Sequence, residues 1–245
     1  MKISQFNKKI NLAIFAPLFL SILGVVIYSN SFSNSFHFDD LSFILGNQVI
    51  SKIMDLKAIW YYWPTRFFGL FSFAINYQIG QFAVFGYHLF NLVLHILTAI
   101  LVFIFANLTF STPVMRAQEI SKYKKILAFF AAAIFLSHPV QTQTLNYIFQ
   151  RVTILATFFY LSSLCLYVQA MFLFKTRRQV AIFCYSLSWL AALMGMFTKE
   201  SSDRFDPVEM AMGMVMSVGT TAAIPSLAKL TPTGIVLPGV SFTGF

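Results

Sequence analysis

The chain has 245 residues, of which 58% are hydrophobic and only 10% are charged, and its mean hydropathy is +0.74. A typical soluble domain is about 45–50% apolar and about 25% charged, so a soluble fold of this length would leave too much apolar surface in water. The same numbers exclude intrinsic disorder, a coiled coil and a disulfide scaffold. They indicate an all-α, polytopic helical membrane protein.

The net charge of +9 would favour nucleic-acid binding in a soluble protein. Here, however, ten of the 17 basic residues lie in three short clusters between apolar runs, at residues 2–9, 116–125 and 175–178. Such clusters are typical of the cytoplasmic side of a membrane protein. We therefore predict contacts with membrane lipids and none with nucleic acid, a cytoplasmic N-terminus and a first large loop on the outer side.

Apolar stretches predict about five to six spans. In chain order, five of them cover residues 10–29, 87–110, 126–136, 152–174 and 180–198. The third is unusually short, since a span needs roughly 20 apolar residues. We interpret the first as an uncleaved anchor rather than a signal peptide, because its apolar region is longer than roughly 7–15 residues. Residues 210–228 are uncharged and would form a sixth span, although glycines and a proline interrupt them.

A long outer loop, residues 30–86, separates the first two predicted spans. The four consecutive aromatic residues from Trp60 to Trp63 are typical of a membrane interface. The apolar run 67–77 is too short to span and predicts a helix lying in that interface.

Two neighbouring carboxylates, Asp39 and Asp40, follow the first span directly. A carboxylate near the membrane surface can accept a proton from a hydroxyl or hold a metal ion. The local sequence favours the alternative that these aspartates cap a helix beginning at Leu41.

A polar stripe crosses the second span, where His88, Asn91 and His95 are three and four residues apart and so share one helix face. Polar groups inside a span usually face the bundle interior. Packing against a neighbouring helix and lining of a substrate pocket are both open. We predict no metal site, because no further ligand has suitable spacing for zinc.

More polar residues surround the last predicted spans. The run from His138 to Gln143 predicts a wet recess, since non-helical backbone at membrane depth is tolerated where it lines a cavity. Arg151 suits bidentate phosphate binding or a snorkelling anchor. Lys199 and Glu200 either mark the end of the fifth span or place a second cation where it stabilises a leaving phosphate.

Taken together, these motifs resemble the membrane half of the transmembrane and tetratricopeptide-repeat-containing O-mannosyltransferases and their bacterial relatives, a family of the GT-C class. The resemblance covers residues 10–200. It is carried, in order, by Phe38-Asp39-Asp40, Gly86-Tyr87-His88-Leu89-Phe90-Asn91 with His95, His138-Pro139-Val140-Gln141-Thr142-Gln143, Tyr147-Ile148, Gln150-Arg151, Leu166-Tyr167 and Thr198-Lys199-Glu200.

The resemblance implies a GT-C-like fold and a glycosyltransferase that takes its sugar from a polyprenyl- or dolichyl-phosphate on the outer side of a membrane, here the bacterial inner membrane. Asp39 or Asp40 would activate the acceptor hydroxyl, and Arg151 and Lys199 would hold the lipid phosphate. The residues implied to bind substrate or to line its cavity are His88, Asn91, His138, Gln143 and Glu200. The sugar, the acceptor and any cofactor are not implied.

The chain also departs from the family. Many members have a Thr-Glu pair where this chain has Thr142 and Gln143, so a second carboxylate is missing. Residues 1–200 form the predicted membrane domain, whereas residues 201–245, with three of the 30 phenylalanines, do not match. Such a tail is expected from a truncation, a frameshift or a chimeric gene, and the product would then be inactive. A non-catalytic membrane scaffold and a small transporter are the alternative functions.

Overall fold

The computed structural model describes residues 12–199, so Glu200, the predicted tail and the predicted sixth span lie outside the described residues. Within the described range there are helices and turns but no β-strand, and the predicted all-α membrane class is confirmed. Its α-helices are α1 (Leu12–Tyr28), α2 (Leu56–Tyr62), α3 (Phe67–Gly80), α4 (Val84–Thr109), α5 (Pro113–Arg116), α6 (Lys124–Ser137), α7 (Gln141–Asn146), α8 (Arg151–Leu173) and α9 (Arg178–Met196).

Between residues 12 and 199, four helical segments are long and apolar enough to cross a membrane. They are Ile14–Ser33, Val84–Thr109, Ile148–Leu173 and Arg178–Met196, and they correspond to the first, second, fourth and fifth predicted spans. The predicted third span is present as a helix and is short, as expected. Its helix, α6, has 14 residues and so covers about 21 Å of a hydrocarbon core of about 30 Å.

Small residues bring α1, α4 and α6 close together at one core. Fully buried alanines face this core at Ala16, Ala99, Ala128 and Ala132. Without a hydrophobic driving force between helices in lipid, such small side chains allow the close backbone approach that gives dispersion contacts. Packing against α1 and α4 therefore stabilises α6, which is too short to cross the hydrocarbon core by itself.

A second core folds the long loop against the beginning of α8. Ile59 of α2 and Leu70 and Phe73 of α3 are buried there together with Val152 of α8. The helix predicted over residues 67–77 is present as α3, three residues longer at its C-terminal end. We call the end of the bundle at which residues 34–83 lie the long-loop end.

The contact between α3 and α8 leaves no room for a larger residue at Gly69. A Cβ atom added there would lie 2.5 Å from Cγ1 of Val152, which is β-branched and cannot turn away easily. Gly80, the last residue of α3, has ordinary space, with its nearest neighbour 3.7 Å away.

We therefore expect Gly69→Ala to destabilise the protein by about 1–3 kcal/mol through overpacking, and Gly80→Ala to be neutral. The measurement is the thermal midpoint of detergent-solubilised protein, followed by size-exclusion chromatography after heating. Adding Val152→Ala to Gly69→Ala should restore the midpoint. Equal midpoints for the Gly69→Ala variant and the wild type would contradict this packing.

Candidate functional site

The polar stripe of α4 faces the interruption between α6 and α8. Nε2 of His95 lies 3.3 Å from the carbonyl oxygen of Leu136, and the Tyr28 hydroxyl donates to that same oxygen at 2.8 Å. Leu136 is in the last turn of α6, where carbonyl oxygens have no partner within the helix. His95 and Tyr28 thus provide partners for the Leu136 carbonyl oxygen, which has none within α6 because the helix ends before Pro139.

The other two residues of the stripe, His88 and Asn91, contact backbone carbonyl oxygens later in the segment between α6 and α8. Nδ1 of His88 lies 3.2 Å from the carbonyl oxygen of Leu145, and its Nε2 lies 3.0 Å from that of Asn34. Asn91 donates through Nδ2 to the carbonyl oxygen of Ile148 at 3.3 Å. In this structure the stripe packs against backbone, which is the first of the two interpretations open from the sequence.

Arg151 has no solvent exposure and joins three helices. Its Nε donates to Oδ1 of Asn91 at 2.6 Å, its Nη2 to the carbonyl oxygen of Tyr87 at 3.0 Å and its Nη1 to that of Ser72 at 3.2 Å. The guanidinium carbon also lies 4.5 Å from the ring centre of Phe73. The snorkelling alternative is therefore wrong. Phosphate binding by Arg151 stays a prediction that requires these bonds to open.

Asp40 is buried and holds the beginning of another helix. Its Oδ1 accepts a hydrogen bond from the backbone N–H of Phe149 at 2.7 Å, and its Oδ2 accepts one from that of His37 at 3.1 Å. The predicted cap on its own helix is wrong, because Asp40 makes no side-chain bond to the π-helical turn Leu41–Leu45. Burial raises the pKa of Asp40, and the amide donors act in the opposite direction.

Asp39, in contrast, is exposed. Its N–H donates to the hydroxyl of Tyr147 at 3.1 Å. The preceding residue, Phe38, has φ 49°, a left-handed conformation that bulky side chains rarely adopt, and its side chain is 84% exposed. Such backbone strain is often concentrated at functional sites, and Asp39 is the solvent-exposed carboxylate of the pair.

Lys199 lies at the same long-loop end, beside the first turn of α8. Its Nζ donates to Oγ1 of Thr153 at 3.0 Å, and that hydroxyl donates to Oε1 of Gln150 at 2.8 Å. The chain before Lys199 is attached to α3 by a bond from the Phe68 N–H to the Phe197 carbonyl oxygen, 3.1 Å long. An ammonium group beside a helix N-terminus provides two features that attract an anion.

The predicted recess takes the form of an exposed turn. His138 is exposed and its Nδ1 accepts from the Val140 N–H at 3.2 Å, while the side chain of Gln143 is exposed nearby. Neither has a hydrogen bond to Asp39 or Lys199 in the described part of the chain. Between residues 12 and 199 no group of three or more His, Cys, Asp or Glu side chains lies together as metal ligands.

Sequence reasoning assigned no role to three residues that lie at this end. The Tyr147 hydroxyl contacts Asp39, and Thr153 contacts Lys199. The guanidinium carbon of Arg66 lies 3.9 Å from the ring centre of Trp63. Tyr147 belongs to the Tyr147-Ile148 motif and Thr153 lies two residues after the Gln150-Arg151 motif, and these positions mark both as candidates.

The fold and this end of the bundle define a polytopic α-helical membrane protein with a buried polar framework and an exposed carboxylate and lysine. No protein-family model matches the chain, and no solved structure matches it significantly. The chain is similar to curated relatives that are all named protein O-mannosyl-transferases, which confirms the resemblance predicted from its motifs.

Three of these relatives show the extent of the similarity. Protein O-mannosyl-transferase F38B6.6 of Caenorhabditis elegans is 27% identical over 165 residues, which cover 62% of this chain and 23% of the relative. The human TMTC2 is 29% identical, with 63% of this chain and 18% of the relative covered, and the human TMTC4 is 24% identical, with 63% and 23% covered. The chain thus spans about a fifth of the length of these relatives.

Substitution of the two aspartates should have different effects on the stability of the protein. In Asp40→Asn one of the two amide donors, that of His37 or that of Phe149, would face a side-chain NH₂ group. We expect a loss of about 1–3 kcal/mol, seen as a lower thermal midpoint, whereas Asp39→Asn should leave the midpoint unchanged. Equal midpoints for both variants would contradict the bonding of Asp40.

The role of Arg151 is open to a similar experiment. Arg151→Lys keeps the charge but cannot reach Asn91, Ser72 and Tyr87 together, so we expect a loss of about 2–4 kcal/mol. Arg178→Lys is the matched control at the beginning of α9 and should leave the thermal midpoint unchanged. A variant of normal stability that binds a lipid-phosphate donor weakly would instead show that Arg151 contacts phosphate.

Proposed function

We propose that the chain acts as a membrane glycosyltransferase of the GT-C class, transferring a sugar from a polyprenyl-phosphate-linked donor to a protein hydroxyl. The observation that carries the proposal is the position of Asp39 and Lys199. Both are exposed, and both lie at the long-loop end, on motifs shared with the family. The names of the relatives support sugar transfer, with mannose as the first sugar to test.

The proposed location is the bacterial inner membrane, with the long-loop end in the periplasm. The basic clusters support this orientation. Residues 116–125 and 175–178 follow the ends of α4 and α8 that lie away from Asp39 and Lys199, because α6 and α7 return the chain to the long-loop end between them. The donor would then be reached from the outer leaflet, where its phosphate lies beside Lys199.

In the proposed reaction, the Asp39 carboxylate accepts the proton of the acceptor hydroxyl as the hydroxyl oxygen attacks the anomeric carbon of the sugar. The bond between that carbon and the phosphate oxygen breaks, and its electron pair leaves on the lipid phosphate. Lys199 stabilises the charge that develops there. Alignment of base, acceptor and donor supplies the remaining rate enhancement.

In our proposal, Asp40 and Arg151 do not contact the reacting atoms but stabilise the backbone that carries the site. Asp40 fixes the segment that presents Asp39, and Arg151 fixes the beginning of α8. Contact of the phosphate with Arg151, and of the substrate with His88, Asn91, His138, Gln143 and Glu200, stays a prediction.

The two alternative functions differ in their support. Histidines inside a span, such as His88 and His95 of α4, would favour a small transporter. Their rings face backbone carbonyl oxygens, which gives no support to a substrate path. A non-catalytic scaffold is the conclusion to draw if the purified chain transfers no sugar.

The proposal is tested by transfer of radiolabelled mannose from polyprenyl-phosphate mannose to a serine- and threonine-containing peptide, with the full chain in liposomes. We expect Asp39→Asn to lower kcat by roughly 10²–10⁴-fold and Lys199→Gln to lower it by about 10²-fold. Glu119→Gln and Lys125→Gln, both exposed at the opposite end, are the matched controls and should transfer normally. Wild-type turnover by Asp39→Asn would show that this carboxylate is not the base.

A further inference from the structure

We propose that Tyr147 is a positioning residue for Asp39, whose hydroxyl holds both the backbone and the carboxylate of that residue and so sets the direction in which the carboxylate faces the acceptor. The inference rests on the proposed function, in which Asp39 is the base. It adds a residue to which neither the motifs nor the comparisons assign a role.

The first observation is a contact between distant parts of the chain. The Tyr147 hydroxyl oxygen accepts the Asp39 N–H at 3.1 Å, across 108 residues of sequence. Tyr147 itself lies between α7 and α8, and its N–H donates to the carbonyl oxygen of Gln143 at 3.1 Å. A loop residue is thus attached to a junction of two helices, and precise sites depend on such attachment to rigid elements.

The second observation concerns the proton of the same hydroxyl. A phenol has one O–H donor and can also accept, so an oxygen that accepts the Asp39 N–H can still donate to the Asp39 carboxylate. Burial of the hydroxyl, and next its hydrogen bond to that carboxylate, raise the pKa of Tyr147 to about 12. The hydroxyl therefore keeps its proton at neutral pH. In our proposal the O–H is directed at one carboxylate oxygen of Asp39, which leaves the other for the acceptor substrate.

The third observation is that the neighbours of Asp39 are fixed as well. Asp40 is anchored on the inner side through the N–H groups of Phe149 and His37. Phe38 on the other side takes a left-handed conformation, and its ring meets the Tyr147 ring nearly at a right angle, with centres 6.2 Å apart. The hydroxyl of Tyr147 can therefore be removed while the ring contact that supports the turn is kept.

Tyr147→Phe in the full chain tests the proposal through the mannose transfer described above. We expect kcat to fall by about 10- to 100-fold, as misplacement of a reacting group by about 1 Å does, with the KM for the lipid-linked donor within about twofold. A purely structural role would not separate kcat from KM in this way. Tyr61→Phe, in an exposed tyrosine of the same loop, is the matched control and should transfer normally.

A double-mutant cycle shows whether Tyr147 acts through Asp39. If it does, the double variant Tyr147→Phe with Asp39→Asn should be no slower than Asp39→Asn alone, because the losses are not additive. Two independent losses that multiply would overturn the proposal.

Hydrogen exchange of the Asp39 amide supplies a readout that needs no activity. Tyr147→Phe should remove the protection of this amide, and Tyr61→Phe should not. Unchanged exchange, or normal transfer by Tyr147→Phe beside an inactive Asp39→Asn, would overturn the positioning role alone. A fully active Asp39→Asn would instead refute the proposed base, and with it the catalytic part of this inference.

Discussion

The fold depends on satisfying the backbone between α6 and α8, where the chain turns at Pro139 and forms only the short helix α7. In hydrocarbon there is no water to bond a free carbonyl, and each one left open costs several kcal/mol. Polar side chains inside a span are costly too. The two costs offset each other, because His95, His88 and Asn91 of α4 face the carbonyl oxygens of Leu136, Leu145 and Ile148. The short α6 and the turn after it are stable only against such a stripe.

Arg151 extends this framework to the long loop. Asn91 donates to the interrupted segment through Nδ2, and its Oδ1 accepts from Nε of Arg151. The other guanidinium nitrogens donate to the backbone carbonyl oxygens of Ser72 and Tyr87. A buried charge is tolerated only when its donors are engaged, so this arginine requires the helices around it to keep their relative positions. The first turn of α8, next to Gln150 and Thr153, thereby becomes a rigid support for Lys199.

Sequence reasoning found the class, the apolar spans and the polar residues, because hydropathy and helical spacing are local properties. It did not find what those residues bond. The stripe and Arg151 bond mainly to backbone carbonyls, which are present at every residue and leave no mark in the sequence. Asp40 bonds the N–H of Phe149, 109 residues away, although a local pattern favoured a cap on its own helix. Local patterns name candidate partners, and burial in the tertiary fold selects among them.

The separation of Asp39 from Asp40 follows from the same selection. Burying two adjacent carboxylates would be costly, and the free N–H groups where the segment Ile148–Leu173 begins offer donor positions to one of them. Once Asp40 occupies those positions, the chain before it must turn sharply, and Phe38 takes its strained conformation. Asp39 is left facing outward. Asp39 is the exposed motif carboxylate within residues 12–199, and in our proposal it must receive the proton of the acceptor.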